Sequence, residues 1–291
     1  VNAIYEQTYN IVLDSSPGYP WNTMGYATSG AVIKSVGRDE IAKIYGEMLH
    51  LLANTDPNVL EQMTLLDMCE LGYVTLCAFF IKNEPHPMRK VLQRRWRIIC
   101  NVGLGVQLIE RSIFTVVTSS NKMGFPYQES LKGIGFDDHK TDLLGQIYED
   151  ICNAGNTPVT SDVSGWDRSL TRTCFKYWVV MLIAASRRVS RSWSYAASNW
   201  ALTVPSMPFH LPNGVVVAPD HSTQKSGSYV TTDSNGMIRA FFARLCGAFT
   251  AFTAGDDCIE FHQGQADLAE VRRRYEALNL KIRDVSSPTL D

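Results

Sequence analysis

The segment from Ala251 to Phe261 contains two apolar stretches, AFTA and CIEF, which are separated only by Gly255, Asp256 and Asp257. Apolar stretches on either side of a short glycine-containing turn predict a β-hairpin. Because both flanks are apolar enough to be buried, we expect the sheet to hold the two carboxylates in a fixed position at one end. Aspartate is also a common turn residue, so the pair by itself is equally typical of an ordinary hairpin tip.

A second acidic pair lies upstream in the sequence SDVSGWD, where Asp162 ends a short strand predicted over residues 158–162 and Asp167 follows five residues later. The Ser-Gly turn between them predicts that both carboxylates lie at one end of the sheet. Alternatively, Asp167 caps the helix predicted over residues 171–187, because aspartate is a frequent helix cap. Two acidic pairs at strand ends suit a centre for two Mg²⁺ ions, which bind carboxylate oxygens together with substrate phosphates.

Small and polar residues follow in the sequence SGSYVTTDSN, which begins at Ser226. Gly227, Thr231 and Asn235 are spaced at i, i+4 and i+8, and this spacing places them on one face of a helix predicted over about 228–246. One interpretation of this face is a stripe exposed to solvent. The other is a surface that lets a nucleic-acid backbone or sugar approach closely and forms hydrogen bonds to it.

The order of predicted elements around these motifs, strand, helix, helix, hairpin and helix, is typical of an α+β fold with a small antiparallel sheet. Helices predicted over residues 39–53 and 59–80 precede a basic stretch, residues 82–97, with the sequence KNEPHPMRKVLQRRWR. Pro85 and Pro87 preclude a continuous helix there and favour extended chain. Since the formal net charge is -2, a nucleic-acid partner would need such a local basic surface. The alternative for this stretch is a solvated face.

The seven cysteines occur singly, and their odd number argues against a disulfide framework and for a reducing compartment. Their spacing relative to histidine does not match a zinc site. The longest apolar run, Trp178 to Ala185, is too short to span a bilayer. We therefore expect no membrane segment in this chain.

In this order, SDVSGWD, SGSYVTTDSN and AGDD resemble palm motifs A, B and C of the RNA-dependent RNA polymerases of positive-strand RNA viruses. The sequence DVSGWD is most similar to the corresponding motif of the sobemovirus- and luteovirus-like enzymes. KNEPHPMRK with RRWRII resembles motif F of the fingers, QLIER the segment after it, and YEALNLKIRDV motif D. The resemblance covers nearly the whole chain and stops where motif E and the thumb begin. It implies a right-hand polymerase with an antiparallel palm sheet, mostly helical fingers and a missing thumb.

The resemblance also implies template-directed nucleotidyl transfer from NTPs by a two-metal mechanism, in genome replication and transcription. The residues implied to hold the two Mg²⁺ ions, for which Mn²⁺ can substitute, are Asp162, Asp256 and Asp257. Those implied to bind the ribose and its surroundings are Asp167 and Asn235, with Ser226, Gly227 and Thr231. Those implied to bind the triphosphate are Lys82, Arg95 and Arg97, and Lys281 would protonate the pyrophosphate. The chain departs from the family at Gly236, where Ser often follows the asparagine, and at Asn83, where Asp is common.

By the same resemblance, residues 1–157 form the fingers, 158–204 the palm with motif A, 205–225 a fingers insertion, and 226–291 the palm with motifs B, C and D. The implied partners are an RNA template and nascent strand, NTPs, and a viral polyprotein or genome-linked protein. The implied location is a replication complex in the host cell cytoplasm. Primer-independent and protein-primed initiation both remain open.

Two other protein classes share parts of this pattern. A reverse transcriptase has the palm and the Asp-Asp turn, but it usually carries an aromatic residue near the acidic pair and blocks the 2′-hydroxyl with a bulky side chain. Here Gly255 and Asn235 occupy the corresponding places. A non-enzymatic RNA-binding protein would use the acidic turns only as hairpin caps, which explains neither the order of the motifs nor the basic stretch.

Overall fold

A computed structural model describes residues 1–124, 127–133, 135 and 137–288, without the side chains of 121–123. Its helices are α1 (Asn2–Gln7), α2 (Ser29–Val36), α3 (Arg38–Asn54), α4 (Pro57–Glu61), α5 (Leu65–Glu70), α6 (Met88–Leu92), α7 (Gly103–Met123), α8 (Asp138–Asn153), α9 (Trp166–Ser169), α10 (Arg172–Ala185), α11 (Arg191–Thr203), α12 (Thr231–Leu245) and α13 (Leu268–Ala277). Its strands are β1 (Cys77–Ile81), β2 (Ile98–Asn101), β3 (Asn156–Val163), β4 (Phe209–His210), β5 (Val216–Val217), β6 (Thr250–Ala254), β7 (Asp257–Gln263) and β8 (Ile282–Ser286). Both helices and antiparallel strands are present, as expected for an α+β fold.

The chain divides into two compact units, and the first contains Val1–Thr115 and Leu170–Tyr229. Its sheet has the order β2-β1-β4-β5, in which β1 pairs antiparallel with β2 and parallel with β4. Strands β4 and β5 pair antiparallel and form a hairpin. Phe114, Trp178 and Trp200 form an aromatic cluster in the core of this unit, with ring centroids 5.1–5.3 Å apart.

The second unit contains Val116–Ser169 and Val230–Asp291. Its sheet is antiparallel throughout, with the order β6-β7-β3-β8. Helix α12 packs against β6 and β7, and small side chains (Ala240, Ala243, Ala248, Ala251 and Cys258) form a buried cluster that lets helix and sheet approach closely. The predicted hairpin of β6 and β7 and the small antiparallel sheet are therefore confirmed.

The helix predicted over residues 59–80 is wrong. A capping box at Thr64 and Asp67 begins α5 as a separate short helix, and the chain then turns at Gly72, which has a φ of +82°. The β-branched and aromatic residues after this turn favour a strand, and part of this segment forms β1. The extended chain predicted for residues 82–97 is also interrupted, because α6 begins directly after Pro87.

The boundaries of the two units differ from those that the sequence predicted for fingers and palm. Residues 116–157 belong to the second unit, although they were expected in the fingers, and residues 170–204 belong to the first. Helix α11 and strand β8 were not predicted at all. The terms fingers and palm therefore stay predictions, and the two units are described by their residues.

Candidate functional site

The hairpin of β6 and β7 places two carboxylates at its tip. Ala254 pairs with Asp257, so Gly255 and Asp256 form a two-residue turn. Gly255 has a φ of +73°, which a residue with a side chain rarely adopts. Both aspartates are exposed. The turn therefore presents the two carboxylates to solvent from a rigid strand pair.

Asp162 lies near the end of β3, the central strand next to β7. The antiparallel register pairs Thr160, two residues before Asp162, with Ile259, two residues after Asp257, so the two aspartates lie at the same end of the strand pair. The predicted proximity of the two strand ends is therefore supported by the register. A cation also contacts Asp162, because its Oδ2 accepts a hydrogen bond from the Arg283 guanidinium on β8.

Asp167 and Asn235 are brought together by two different elements of the second unit. Gly165, with a φ of +68°, turns the chain into α9, whose first turn contains Asp167. Asp167 therefore does not cap the longer helix α10, where Thr171 is the N-cap. Asn235 lies in α12, is 5% exposed, and hydrogen-bonds to the Asp167 side chain. The interpretation of Asn235 as part of a solvent-exposed stripe is wrong, and Gly227 lies before the helix rather than on its face.

The environment of Asp167 is unusual for an aspartate. The residue as a whole is exposed, but many protein atoms crowd its carboxyl group, and this loss of hydration raises its pKa to about 6. The negative charge of Asp256 raises the pKa further, whereas the hydrogen bond from Asn235 and the charge of Arg168 lower it. The Oδ1 atom of Asn235 is buried and has no hydrogen-bond partner. The pair therefore contains a buried acceptor whose hydrogen-bonding capacity is unused.

The departure from the family at Gly236 has a steric reason. A Cβ atom at this position would lie 2.5 Å from Ser130 Oγ and 3.0 Å from Thr253 Oγ1. The Gly236 carbonyl also accepts a hydrogen bond of 2.9 Å from Thr253 Oγ1. A serine at 236 does not fit this packing, and the hydroxyl groups of Ser130 and Thr253 occupy the space instead.

Thr231 is the first residue of α12, and its carbonyl accepts a hydrogen bond from Ser234 Oγ. Lys281 has an exposed side chain just before β8, and its carbonyl accepts a 2.8 Å hydrogen bond from Ser164 N. The structure thus brings the backbone of Lys281 next to the turn after Asp162. The side chain of this segment that contacts Asp162 is Arg283, which the sequence did not single out.

In the first unit, Ser226 and Gly227 lie against strand β2. Ser226 Oγ accepts a 3.0 Å hydrogen bond from Cys100 N, and Gly227 N donates a 2.9 Å bond to Cys100 O. A Cβ atom at Gly227 would lie only 2.5 Å from Cys100 O. Only glycine therefore permits this close approach of the two backbones.

The basic residues of 82–97 are arranged around one carboxylate. Lys82 Nζ and Arg97 Nη1 contact Glu84 at 2.7 and 2.8 Å, and these partners hold the pKa of Glu84 below its ordinary value. Arg95 is exposed, as are Arg89, Lys90 and Arg94. The stretch is thus a solvated surface with a positive excess, and two of its three predicted triphosphate ligands are held by Glu84.

A buried polar network beneath β3 was missed by the sequence prediction. Ser161, adjacent to Asp162, donates to Glu260 Oε1 at 2.9 Å, and the Tyr275 hydroxyl donates to Glu260 Oε2 at 2.9 Å. The Arg239 guanidinium, fully buried in α12, donates to Ser161 and to the Tyr275 hydroxyl. An acidic residue inside the apolar strand sequence CIEF was the available signal. The network fixes the strand position that precedes Asp162.

Within the described ranges, His, Cys, Asp and Glu side chains do not assemble in groups of three that could hold a metal ion. Two strand-end carboxylates nevertheless suit Mg²⁺, since this ion commonly uses only one or two protein carboxylates and takes its other ligands from water and phosphates. Of the helices in the described part of the chain, none is both long and apolar enough to cross a membrane.

Comparison with known proteins identifies a family that matches this chain. The family described as viral RNA-directed RNA polymerase matches residues 132–289, which is more than half of the chain. These residues include Asp162, Asp167, Asn235 and the Gly255–Asp257 turn.

Individual viral proteins are similar over most of the chain. The replicase polyprotein P2AB of Cocksfoot mottle virus is 28% identical over 92% of this chain. The RNA-directed RNA polymerase of Mushroom bacilliform virus is 29% identical over 87% of it, and the protein P1-P2 of Turnip yellows virus is 30% identical over 76%. The chain spans 28%, 62% and 22% of these relatives, respectively, which is less than two thirds of each.

Proposed function

Because the chain belongs to the viral RNA-directed RNA polymerases, we propose that it forms the catalytic core of template-directed RNA synthesis. In this reaction the 3′-hydroxyl of the nascent RNA attacks the α-phosphate of an NTP, the bond to pyrophosphate breaks, and the strand grows by one nucleotide. The proton of the attacking hydroxyl is lost, and the leaving pyrophosphate gains one. The proposed role is the replication and transcription of a viral RNA genome.

One observation carries this proposal: Asn235 is buried, hydrogen-bonded to Asp167, and close enough to Asp256 for all three to share one environment. A ribose 2′-hydroxyl is both a donor and an acceptor. The Oδ1 atom of Asn235, which has no hydrogen-bond partner in the protein, can accept a hydrogen bond from this hydroxyl. The Asp167 carboxylate is a second hydrogen-bond acceptor beside it. A site of this kind favours ribonucleotides next to the acidic turn.

Asp162, Asp256 and Asp257 are the proposed ligands of two Mg²⁺ ions, for which Mn²⁺ can substitute. When bound, such ions activate the attacking hydroxyl and neutralise the charge that develops on the triphosphate. The residues of the chain contribute by holding carboxylates at the ends of paired strands. The Arg283 guanidinium provides positive charge to Asp162.

The basic residues are proposed to act on the triphosphate. Lys82, Arg95 and Arg97 provide positive charge, and Arg97 suits a phosphate because its planar guanidinium donates in pairs. The contacts of Lys82 and Arg97 with Glu84 pre-orient both side chains. Lys281 is the proposed proton donor to the pyrophosphate, whereas Arg283 cannot serve in this role because its guanidinium keeps its proton.

The proposed partners are an RNA template, the nascent strand and NTPs, in a replication complex of the host cell cytoplasm. Three of the similar proteins are named replicase polyproteins, which supports the proposal that this chain is also made as part of a polyprotein. A genome-linked protein is a further proposed partner.

Nucleotide incorporation on a defined RNA template by a polymerase that contains this chain tests the proposal. Asp162→Asn should abolish incorporation and weaken the binding of Mn²⁺ measured by electron paramagnetic resonance. Asp150→Asn, which changes an exposed aspartate in α8 of the same unit, is the matched control and should leave both unchanged. Incorporation by the Asp162 variant at the level of the control would contradict the proposal.

A further inference from the structure

The loop of residues Ser226–Tyr229, here called the entry loop, is held from two sides within the first unit. On one side, Cys100 of β2 forms two backbone-mediated hydrogen bonds to Ser226 and Gly227. On the other side lies α7, whose side chain Glu110 reaches the second half of the loop. The loop thus has two independent anchors, and the second is a buried acid.

Glu110 makes three hydrogen bonds through its carboxylate. Oε1 accepts from Ser228 Oγ at 2.6 Å and from Trp200 Nε1 at 2.9 Å, and Oε2 accepts from Tyr229 N at 2.7 Å. Glu110 itself is fully buried. Two of these three donors belong to the entry loop, so the carboxylate bridges the loop to the core of the unit.

The surroundings make this carboxylate costly to bury. The positive charge of Arg111 acts on Glu110 only as the weakest of the influences on its pKa, and the Arg111 guanidinium lies 4.4 Å from the centre of the Tyr229 ring. Burial therefore dominates and raises the pKa of Glu110 to about 7, although the three hydrogen bonds lower it. A helix that only had to fill the core would be more stable with an apolar residue here. The hydrogen bonds of Glu110 to the entry loop therefore explain the presence of an acid at this position better than the packing of α7 does.

We propose that Glu110 is a positioning residue that holds the entry loop in the conformation in which Ser226 and Gly227 receive the nucleotide. The inference rests on the proposed function for the role of Ser226 and Gly227, whereas the anchoring itself does not. The Tyr229 amide is the sensitive point, because it is a backbone donor that cannot reorient as the Ser228 hydroxyl can.

The first test follows the Tyr229 amide by hydrogen exchange in Glu110→Gln and in the unchanged protein. Glutamine keeps the shape of the side chain, and its oxygen accepts two hydrogen bonds when it faces Ser228 Oγ and Trp200 Nε1. Its NH₂ group then faces Tyr229 N, from which it cannot accept. We expect exchange at Tyr229 to become about tenfold faster, as befits the loss of one hydrogen bond to a charged group. Unchanged exchange at Tyr229 would overturn the proposal, whether or not the protein synthesises RNA.

The second test separates positioning from stability. Trp200→Phe removes one bond to the same carboxylate but leaves both bonds to the entry loop, and it should keep the protection of Tyr229. In a polymerase that contains this chain, Glu110→Gln should raise KM for nucleotides about tenfold, the equivalent of one lost hydrogen bond, with little change in kcat. Trp200→Phe should leave KM unchanged. Equal changes of KM in the two variants would overturn the proposal, because they would assign Glu110 a purely structural role.

If Trp200→Phe fails to fold, Ser228→Ala replaces it. This variant removes one loop bond and leaves the Tyr229 amide bonded to Glu110, so exchange at Tyr229 should stay near that of the unchanged protein. Faster exchange in Ser228→Ala than in Glu110→Gln would overturn the proposal. A polymerase without any activity before substitution would contradict the proposed function alone, since the exchange measurements do not depend on it.

Discussion

The second unit holds charged side chains in two contrasting ways. The acidic rim, composed of Asp162, Asp167, Asp256 and Asp257, lies at strand ends and turns, where carboxylates outnumber cations. The buried network, composed of Ser161, Arg239, Glu260 and Tyr275, lies in the core, where the carboxylate is matched by a guanidinium and by two hydroxyl groups. The two meet at Ser161 and Asp162, neighbours in β3 whose side chains point to opposite faces.

The difference shows where this unit tolerates unbalanced charge. In the core, an unpaired charge is strongly destabilising, so each carboxylate oxygen of Glu260 has a donor. At the rim, loss of hydration and, after it, the negative charge of Asp256 raise the pKa of Asp167. A rim whose negative charges attract protons and cations is suited to bind metal ions, while the network keeps its strand in place.

The largest effect should come from neutralising one member of the rim. Asp256→Asn should lower nucleotide incorporation by at least about a thousandfold, or ~4 kcal/mol of transition-state stabilisation, because a charged ligand of the proposed metal ions is lost. The melting temperature should stay within the range of the Asp150→Asn control, since the side chain is exposed. Near-normal RNA synthesis by Asp256→Asn would contradict the proposal that the acidic rim binds the metal ions.

A substitution in the buried network should reverse this pattern. Glu260→Gln leaves the Arg239 guanidinium buried without a negative partner, and such a change typically costs about 3–5 kcal/mol of unfolding free energy. Chemical denaturation of the chain measures the loss. Glu270→Gln breaks a surface cluster with Arg273 and Arg274 and should leave the denaturation midpoint nearly unchanged. Equal denaturation midpoints for Glu260→Gln and Glu270→Gln would show that the buried carboxylate contributes no more to stability than the exposed one.

Between the two extremes lies Asn235, which is buried like the network but faces the rim. If it binds the ribose 2′-hydroxyl, Asn235→Ala should reduce the discrimination against deoxynucleotides by about 1–3 kcal/mol. The measurement is the ratio of kcat/KM for ribonucleotides to that for deoxynucleotides, because both substrates share the triphosphate contacts. A ratio that is unchanged in the variant would leave Asn235 a structural residue of α12.

The sequence predicted the rim far better than the network. Adjacent aspartates between apolar strands define a hairpin by local rules, so Asp256 and Asp257 could be placed without knowledge of the rest of the chain. Asp162 and Asp167 were placed by the same local logic. Asn235 could be assigned to a helix, but its burial could not be predicted, because the polar spacing of α12 fits a solvent-exposed face equally well.

The rest depends on contacts between residues distant in sequence. Glu110 meets Ser228 across 118 positions, and Ser161 meets Glu260 across 99, so the partners cannot be inferred from either local sequence. Strand β8 was missed because its sequence, IRDVS, lacks a clear alternation, and it forms only by pairing with β3. The boundaries of the two units could not be inferred from local sequence either, since segments far apart in sequence combine in each unit.

The smallest effect concerns the protonation of Asp167. Its raised pKa means that the folded chain binds more protons than the unfolded chain between pH about 4 and about 6, so this group's contribution to stability falls as pH rises through that window. Asp256→Asn removes a repelling charge and should lower the pKa of Asp167. Asn235→Ala removes a stabilising hydrogen bond to the carboxylate and should raise it. NMR titration of the carboxyl carbon measures both shifts, with Asp150→Asn as the control that leaves the pKa where it is. Titration of Asp167 at the same pH in all variants would show that the rim residues do not interact, and the contrast with the buried network would then rest on exposure alone.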